Sequence, residues 1–109
     1  MILNFPEMEE IVVTPQNGGG KSARVKKFED PLTRIVLGRM EPGLAFDFHR
    51  HDGTCEVVYI LEGSGKVILE NGEERVAAGM SHYCPKGEAH SLMNDGDKEL
   101  VFFAVVPHQ

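Results

Sequence analysis

Residues 43–63 read Gly43-Leu44-Ala45-Phe46-Asp47-Phe48-His49-Arg50-His51-Asp52-Gly53-Thr54-Cys55-Glu56-Val57-Val58-Tyr59-Ile60-Leu61-Glu62-Gly63. Asp-Gly is a strong signal for a two-residue hairpin, because both turn positions favour positive φ. A hairpin closing at Asp52-Gly53 pairs His51 with Thr54, Arg50 with Cys55 and His49 with Glu56. Directly opposed residues share a sheet face, with Cβ atoms about 4.5–5.5 Å apart. His49 and His51 also share that face, since strand side chains alternate with a period of two. Two imidazoles and a carboxylate are therefore expected on one face of one hairpin. Ala45, Asp47, Val58 and Ile60 complete that face, and Leu44, Phe46, Phe48, Val57, Tyr59 and Leu61 form the other. Ionisable groups on a buried face are costly unless they pair or bind a metal ion. Histidine and carboxylate donors suit a divalent transition metal such as Fe, Mn, Ni, Co or Zn.

Outward from this stretch the texture stays that of short strands. Runs rich in Val, Ile, Leu, Phe and Tyr predict strands near 33–40, 44–51, 54–62, 65–70, 73–78, 80–84, 90–94 and 99–106. Gly63-Ser64-Gly65, Asn71-Gly72, Pro85-Lys86-Gly87 and Asn94-Asp95-Gly96 mark turns between them. No stretch sustains a helical period. Many short strands with regular turns predict an all-β sandwich or barrel. Residues 1–30 are poorly patterned and read as an N-terminal arm, with a short strand at Ile11-Val12-Val13 and a loop at Pro15 to Gly20.

The spacing also carries a family resemblance. Gly43, His49, His51, Glu56 and Gly63 resemble the first motif of the cupin superfamily, G-x5-H-x-H-x3,4-E-x6-G, at every fixed position. Gly79, Pro85, Gly87, His90 and Asn94 are similar to its second motif, G-x5-P-x-G-x2-H-x3-N. The motifs occupy 43–63 and 79–94 and are separated by fifteen residues, as in compact single-domain members. The resemblance implies one domain over 1–109 folded as an antiparallel double-stranded β-helix, a small jelly-roll barrel. It also implies a divalent metal ion held inside by His49, His51, Glu56 and His90. Four such ligands leave room in an octahedral shell for a substrate oxygen and for water or O₂. Glu56 is then also a candidate catalytic base, should it loosen from the metal.

Composition sets limits on partners. The chain has 109 residues, 41% hydrophobic and 26% charged, with a net charge of −6. Nucleic acid and anionic lipid both ask for a basic footprint, so neither is an expected partner. The basic stretch Lys21, Arg24, Lys26 and Lys27 reads as a solvated loop or an edge strand. No apolar run nears the ~20 residues of a membrane span. The first residues lack the basic and apolar regions of a signal peptide. A cytoplasmic protein with Cys55 and Cys84 as free thiols is expected.

The remaining residues of interest have competing roles. Asp47 could orient a metal-bound imidazole or simply end a strand. His82 reads as an ordinary interior or surface histidine, with contact to a ligand as the alternative; Ser81, Tyr83 and Arg39 are further candidates to line the site. His108 is expected in solvent, Tyr59 in packing, and Met40, Met80 and Met93 in the core. Cys55 should point away from Glu56, and Cys84 into the barrel. The apolar face of Leu44, Phe46, Phe48, Val57, Tyr59 and Leu61 needs a cover. Either the N-terminal arm or a second subunit supplies it, and a homodimer is the expected answer. For function, the resemblance implies a metal-dependent enzyme acting on a small organic molecule (a dioxygenase, isomerase or lyase). The alternative is a non-catalytic barrel that binds or senses a small ligand.

Overall fold

The computed structural model describes all 109 residues and contains ten strands. They are β1 (Ile11–Val13), β2 (Ala23–Glu29), β3 (Thr33–Met40), β4 (His49–Arg50), β5 (Glu56–Glu62), β6 (Ser64–Leu69), β7 (Gly72–Ala77), β8 (Ser81–Cys84), β9 (Ala89–Met93) and β10 (Leu100–Pro107). One sheet runs β1-β2-β3-β10-β5-β8 and the other β4-β9-β6-β7. Every pairing is antiparallel. The two sheets face each other as the double-stranded β-helix expected from the motifs. No helix is long and apolar enough to cross a membrane.

Alternation decides what each strand gives the interior. On β5, Val58 and Ile60 are buried, while Val57, Tyr59 and Leu61 are exposed. Met40, Leu44, Ile60, Val67 and Leu100 are fully enclosed between the sheets. Each such side chain contributes roughly 1.5–3 kcal/mol relative to exposure. Phe102 of β10 lies against Gly38 of β3; a Cβ on Gly38 would come within 2.4 Å of its ring. Removing that Cβ lets the ring lie flat on the sheet, where Phe46 meets it edge-on with centroids 6.0 Å apart.

Several sequence expectations are corrected. The basic stretch divides between the two expectations: Lys21 lies in the loop before β2, whereas Arg24, Lys26 and Lys27 lie on β2, which pairs with β3 along its length but with β1 only over Ala23–Val25, so Lys26 and Lys27 are paired on one side only. Its alternation buries Ala23 and Val25 and exposes Arg24. The strand predicted over 44–51 shrinks to β4, preceded by a single bridge between Ala45 and Met93. Leu44 and Phe46 do not lie on an outer face: Leu44 is fully buried and Phe46 packs on the core. Met40 is buried as expected, but Met80 is 52% exposed. Tyr59 is exposed rather than packed. Asn94, the last residue of the second motif, is fully buried and bonds the backbone. Its Nδ2 donates to the carbonyls of Met40 and Lys98, and its Oδ1 accepts from Gly96 N.

Candidate metal centre

The expected Asp52-Gly53 hairpin does not form. β4 pairs with β9, placing His49 opposite His90, whereas β5 pairs with β8 and β10. Residues 51–56 instead cross from the small sheet to the large one. The crossing is tied at both ends. His51 N donates to Glu88 O at 2.9 Å and Gly87 N donates to His51 O at 2.7 Å, so the turn of the second motif clamps the histidine backbone. Cys55 N donates to Pro107 O and Gln109 N to Gly53 O, anchoring the other end to the chain terminus. The three groups predicted to share a hairpin face still converge, but from opposite sheets.

Four donor groups meet at this crossing. Glu56 Oε1 lies 2.9 Å from His51 Nε2, 2.9 Å from His90 Nε2 and 3.9 Å from His49 Nε2. His51 Nε2 and His90 Nε2 are 3.0 Å apart. The three imidazole rings have centroids 4.8–4.9 Å apart. Two nitrogens each ~2.1 Å from one ion and at right angles would be ~3.0 Å apart. The spacing thus fits neighbouring ligands of a single cation, and the cluster can hold a metal ion.

The opposite edge of each ring is also engaged. His49 Nδ1 bonds the Asp47 carbonyl at 2.9 Å, His51 Nδ1 bonds Thr54 Oγ1 at 2.7 Å, and His90 Nδ1 bonds His82 Nε2 at 3.0 Å. Such partners hold a ligating histidine in the right tautomer and orientation. A proton on Nδ1 leaves Nε2 bare and able to donate its lone pair to a metal. His82 is therefore no ordinary core histidine: its Nδ1 lies 3.4 Å from Glu74 Oε1, completing a chain from the surface carboxylate to the centre. Asp47 serves His49 through its backbone; its carboxylate accepts from Asn17 N at 3.1 Å.

Electrostatics follow from this packing. Burial pushes the Glu56 carboxyl upward, but the neighbouring His49 imidazole, the hydrogen bond with His90 and the charges of His90 and His51 outweigh it and hold it well below the usual range. The nearby Glu56 carboxylate raises His49, against the opposing effects of burial and Arg34. Burial lowers His51 and, with the nearby His90, lowers His82. Burial pushes the Cys84 thiol up to about 11.

The centre lies on the wall of a cavity of about 470 Å³ whose lining includes His49, Glu56, His82 and His90. Of the other expected lining residues, Asp47 is present, but Arg39, Ser81 and Tyr83 point outward; Arg39 pairs with Glu99 at 3.8 Å. Cys84 is buried 2% exposed, within the same His-Cys-His cluster as His82 and His90. Thr54, Lys27 and Arg34 were missed. Parity alone could have found Arg34: it lies six residues before Met40 on β3, and so on the same face.

Residues 36–106 match the family model described as a cupin domain. Over 69 residues the chain is 38% identical to an oxalate-binding protein of Thermotoga maritima, covering 62% of this chain and 56% of that one. The match thus spans little more than half the length of that relative. Among solved structures, one from Thermotoga maritima described as a predicted oxalate decarboxylase superposes with a TM-score of 0.90 at 24% identity, over 100% of both chains. A sugar phosphate isomerase from Silicibacter pomeroyi superposes at 0.79 with 20% identity, over 100% of this chain and 76% of that one. At these identities the two structures establish the fold.

Proposed function

The chain belongs to the cupin domain family, and on that premise we propose that it is a metal-dependent enzyme acting on a small organic molecule. One observation carries this reading: four donor groups converge on one point, and three of them line a cavity large enough for a metabolite. His49, His51, Glu56 and His90 would hold the ion. When bound, a divalent cation there supplies Lewis-acid or redox chemistry. The chain's own part is to orient those imidazoles through Asp47, Thr54 and His82, and to wall the cavity with apolar side chains that exclude water. Glu56 serves as a base only when it leaves the imidazoles, because its carboxyl is held well below the usual range.

The test is metal content of the purified chain by plasma mass spectrometry, beside His51→Ala. Near-stoichiometric Fe, Mn, Ni or Zn in the wild type and its loss in the variant is the expected result. No metal after reconstitution refutes the reading. A second reading, a non-catalytic binder, is favoured by the named activity of the oxalate-binding relative. Calorimetric binding of oxalate with no product over long incubation would select it. We further place the protein in the cytoplasm, consistent with two free buried thiols, and as a homodimer through the exposed face of β5 and β8.

A further inference from the structure

The cavity contains two cations that the metal centre does not use. Lys27 of β2 and Arg34 of β3 both line it. In the ladder, Lys27 pairs with Val36 and Glu29 with Arg34, so the two cations are diagonal neighbours on the inner face. Diagonal pairs of this kind are about 7–8 Å apart, within joint reach of one bound group. Arg34 pairs with Val106 of β10, and β10 pairs in turn with β5, so Arg34 and Glu56 are two strands apart. At about 4.8 Å per strand their backbones are roughly 10 Å apart. Arg34 and His49 both line this cavity and also a smaller one beside it.

Arg34 is not satisfied within the chain, and Lys27, though exposed, is committed to no carboxylate. Arg34 Nε is buried and has no hydrogen-bond partner. None of the ion pairs in the molecule involves Lys27 or Arg34. Glu29 faces Arg34 across the ladder without pairing with it. Glu56 is committed to the imidazoles and Asp47 to Asn17 N. A buried donor without a partner is costly, and more so when charged. The walls beside it, Val36, Phe46, Val67, Leu92 and Phe102, offer no acceptor side chain.

We propose that Arg34 and Lys27 form a carboxylate subsite in this cavity, making its ligand a small organic acid. The carboxylate bonds Arg34 with Lys27 alongside, a second oxygen function faces the histidine–glutamate centre, and an apolar body lies on the valine and phenylalanine walls. A flat carboxylate matches the guanidinium fork, whereas a doubly charged phosphate would cost more to desolvate among these apolar walls. A sugar is disfavoured, since its hydroxyls would face valines. The inference rests on the reading of this cavity as the small-molecule site.

The test is calorimetry on manganese-loaded protein with phenylpyruvate, its methyl ester, oxalate and inorganic phosphate. Metal content and melting temperature are recorded for every sample. Phenylpyruvate should bind and its ester should not. Arg34→Gln should weaken phenylpyruvate about tenfold or more, and Lys27→Met by less, both with metal content unchanged. Arg34→Lys should restore part of the loss. Equal binding of ester and acid, undiminished binding to Arg34→Gln, tighter binding of phosphate, or binding of neither acid would each overturn the proposal. If the protein takes up no manganese, the metal reading fails separately. Acid binding that still depends on Arg34 would then support the subsite by itself.

Discussion

His82 shows how much a single side chain can add to a site it does not directly build. Its Nε2 accepts from His90 Nδ1, so its loss would leave His90 free to rotate or to take the wrong tautomer. His82→Ala is expected to weaken metal binding by about 10–100-fold, by analogy with other supporting groups. Competition with a chromophoric chelator measures this; an unchanged affinity would reduce His82 to packing. Cys84 makes a different prediction at the same scale. Burial raises its thiol to about 11 from an ordinary 9.0. Above pH ~9 the unfolded chain loses a proton that the folded chain keeps, so stability falls as pH rises towards 11. In metal-free protein the unfolding free energy from urea titration should drop between pH 8 and 10.5 by roughly 1–2 kcal/mol more in the wild type than in Cys84→Ala. Equal slopes would show that the thiol ionises freely in the fold.

Turns and strand partners are where local sequence is a weaker guide. Gly63 is sharply constrained: its φ is +83°, and a Cβ would come 2.6 Å from the Glu99 carbonyl oxygen. Gly63→Ala should therefore destabilise by about 2–3 kcal/mol, lowering the melting temperature by roughly 10 °C or more. A melt within a few degrees of wild type would mean the turn can relax. This glycine was legible because a motif flags it, as were Pro85 at the end of β8 and all four candidate ligands. The hairpin at Asp52-Gly53 was misread for a physical reason. A turn signal says that the chain reverses, not that the flanking strands pair with each other. Here the flanks belong to different sheets, and their partners, β9 and β10, lie far along the chain. β2 was left between loop and edge strand because Val25 alone marks its inward positions, flanked by small Ala23 and charged Lys27, while Phe28 lies on the other face. The cations of the cavity were hidden by the same effect, since nothing local tells an inward lysine or arginine from an outward one.

Across the whole molecule, the candidate centre ties one sheet to the other: His49 and His90 belong to the small sheet and Glu56 to the large one. An ion bound there only in the folded state would stabilise it by mass action, about 2.7 kcal/mol at a hundredfold excess over Kd. Chelation should then lower the melting temperature by roughly 10–20 °C, and re-addition of metal should restore it. The outer surface poses a separate question. The N-terminal segment covers part of the large sheet: Phe5 stacks edge-on to Phe103 of β10 at 6.0 Å, and Lys26 Nζ donates to its carbonyl at 2.9 Å. It stops short of β5 and β8, where Val57, Tyr59 and Leu61 are 40–43% exposed and Tyr83 is 59% exposed. Val57 and Tyr83 are directly opposed, so these side chains form one continuous apolar face next to the open edge of β8. A symmetric pair of chains joined through this face would bury it on both partners at once. Light scattering should give twice the 12.1 kDa chain mass, and Leu61→Glu should shift it towards the monomer without changing metal content. A wild-type monomer at high concentration would refute the dimer and leave this face as bare surface.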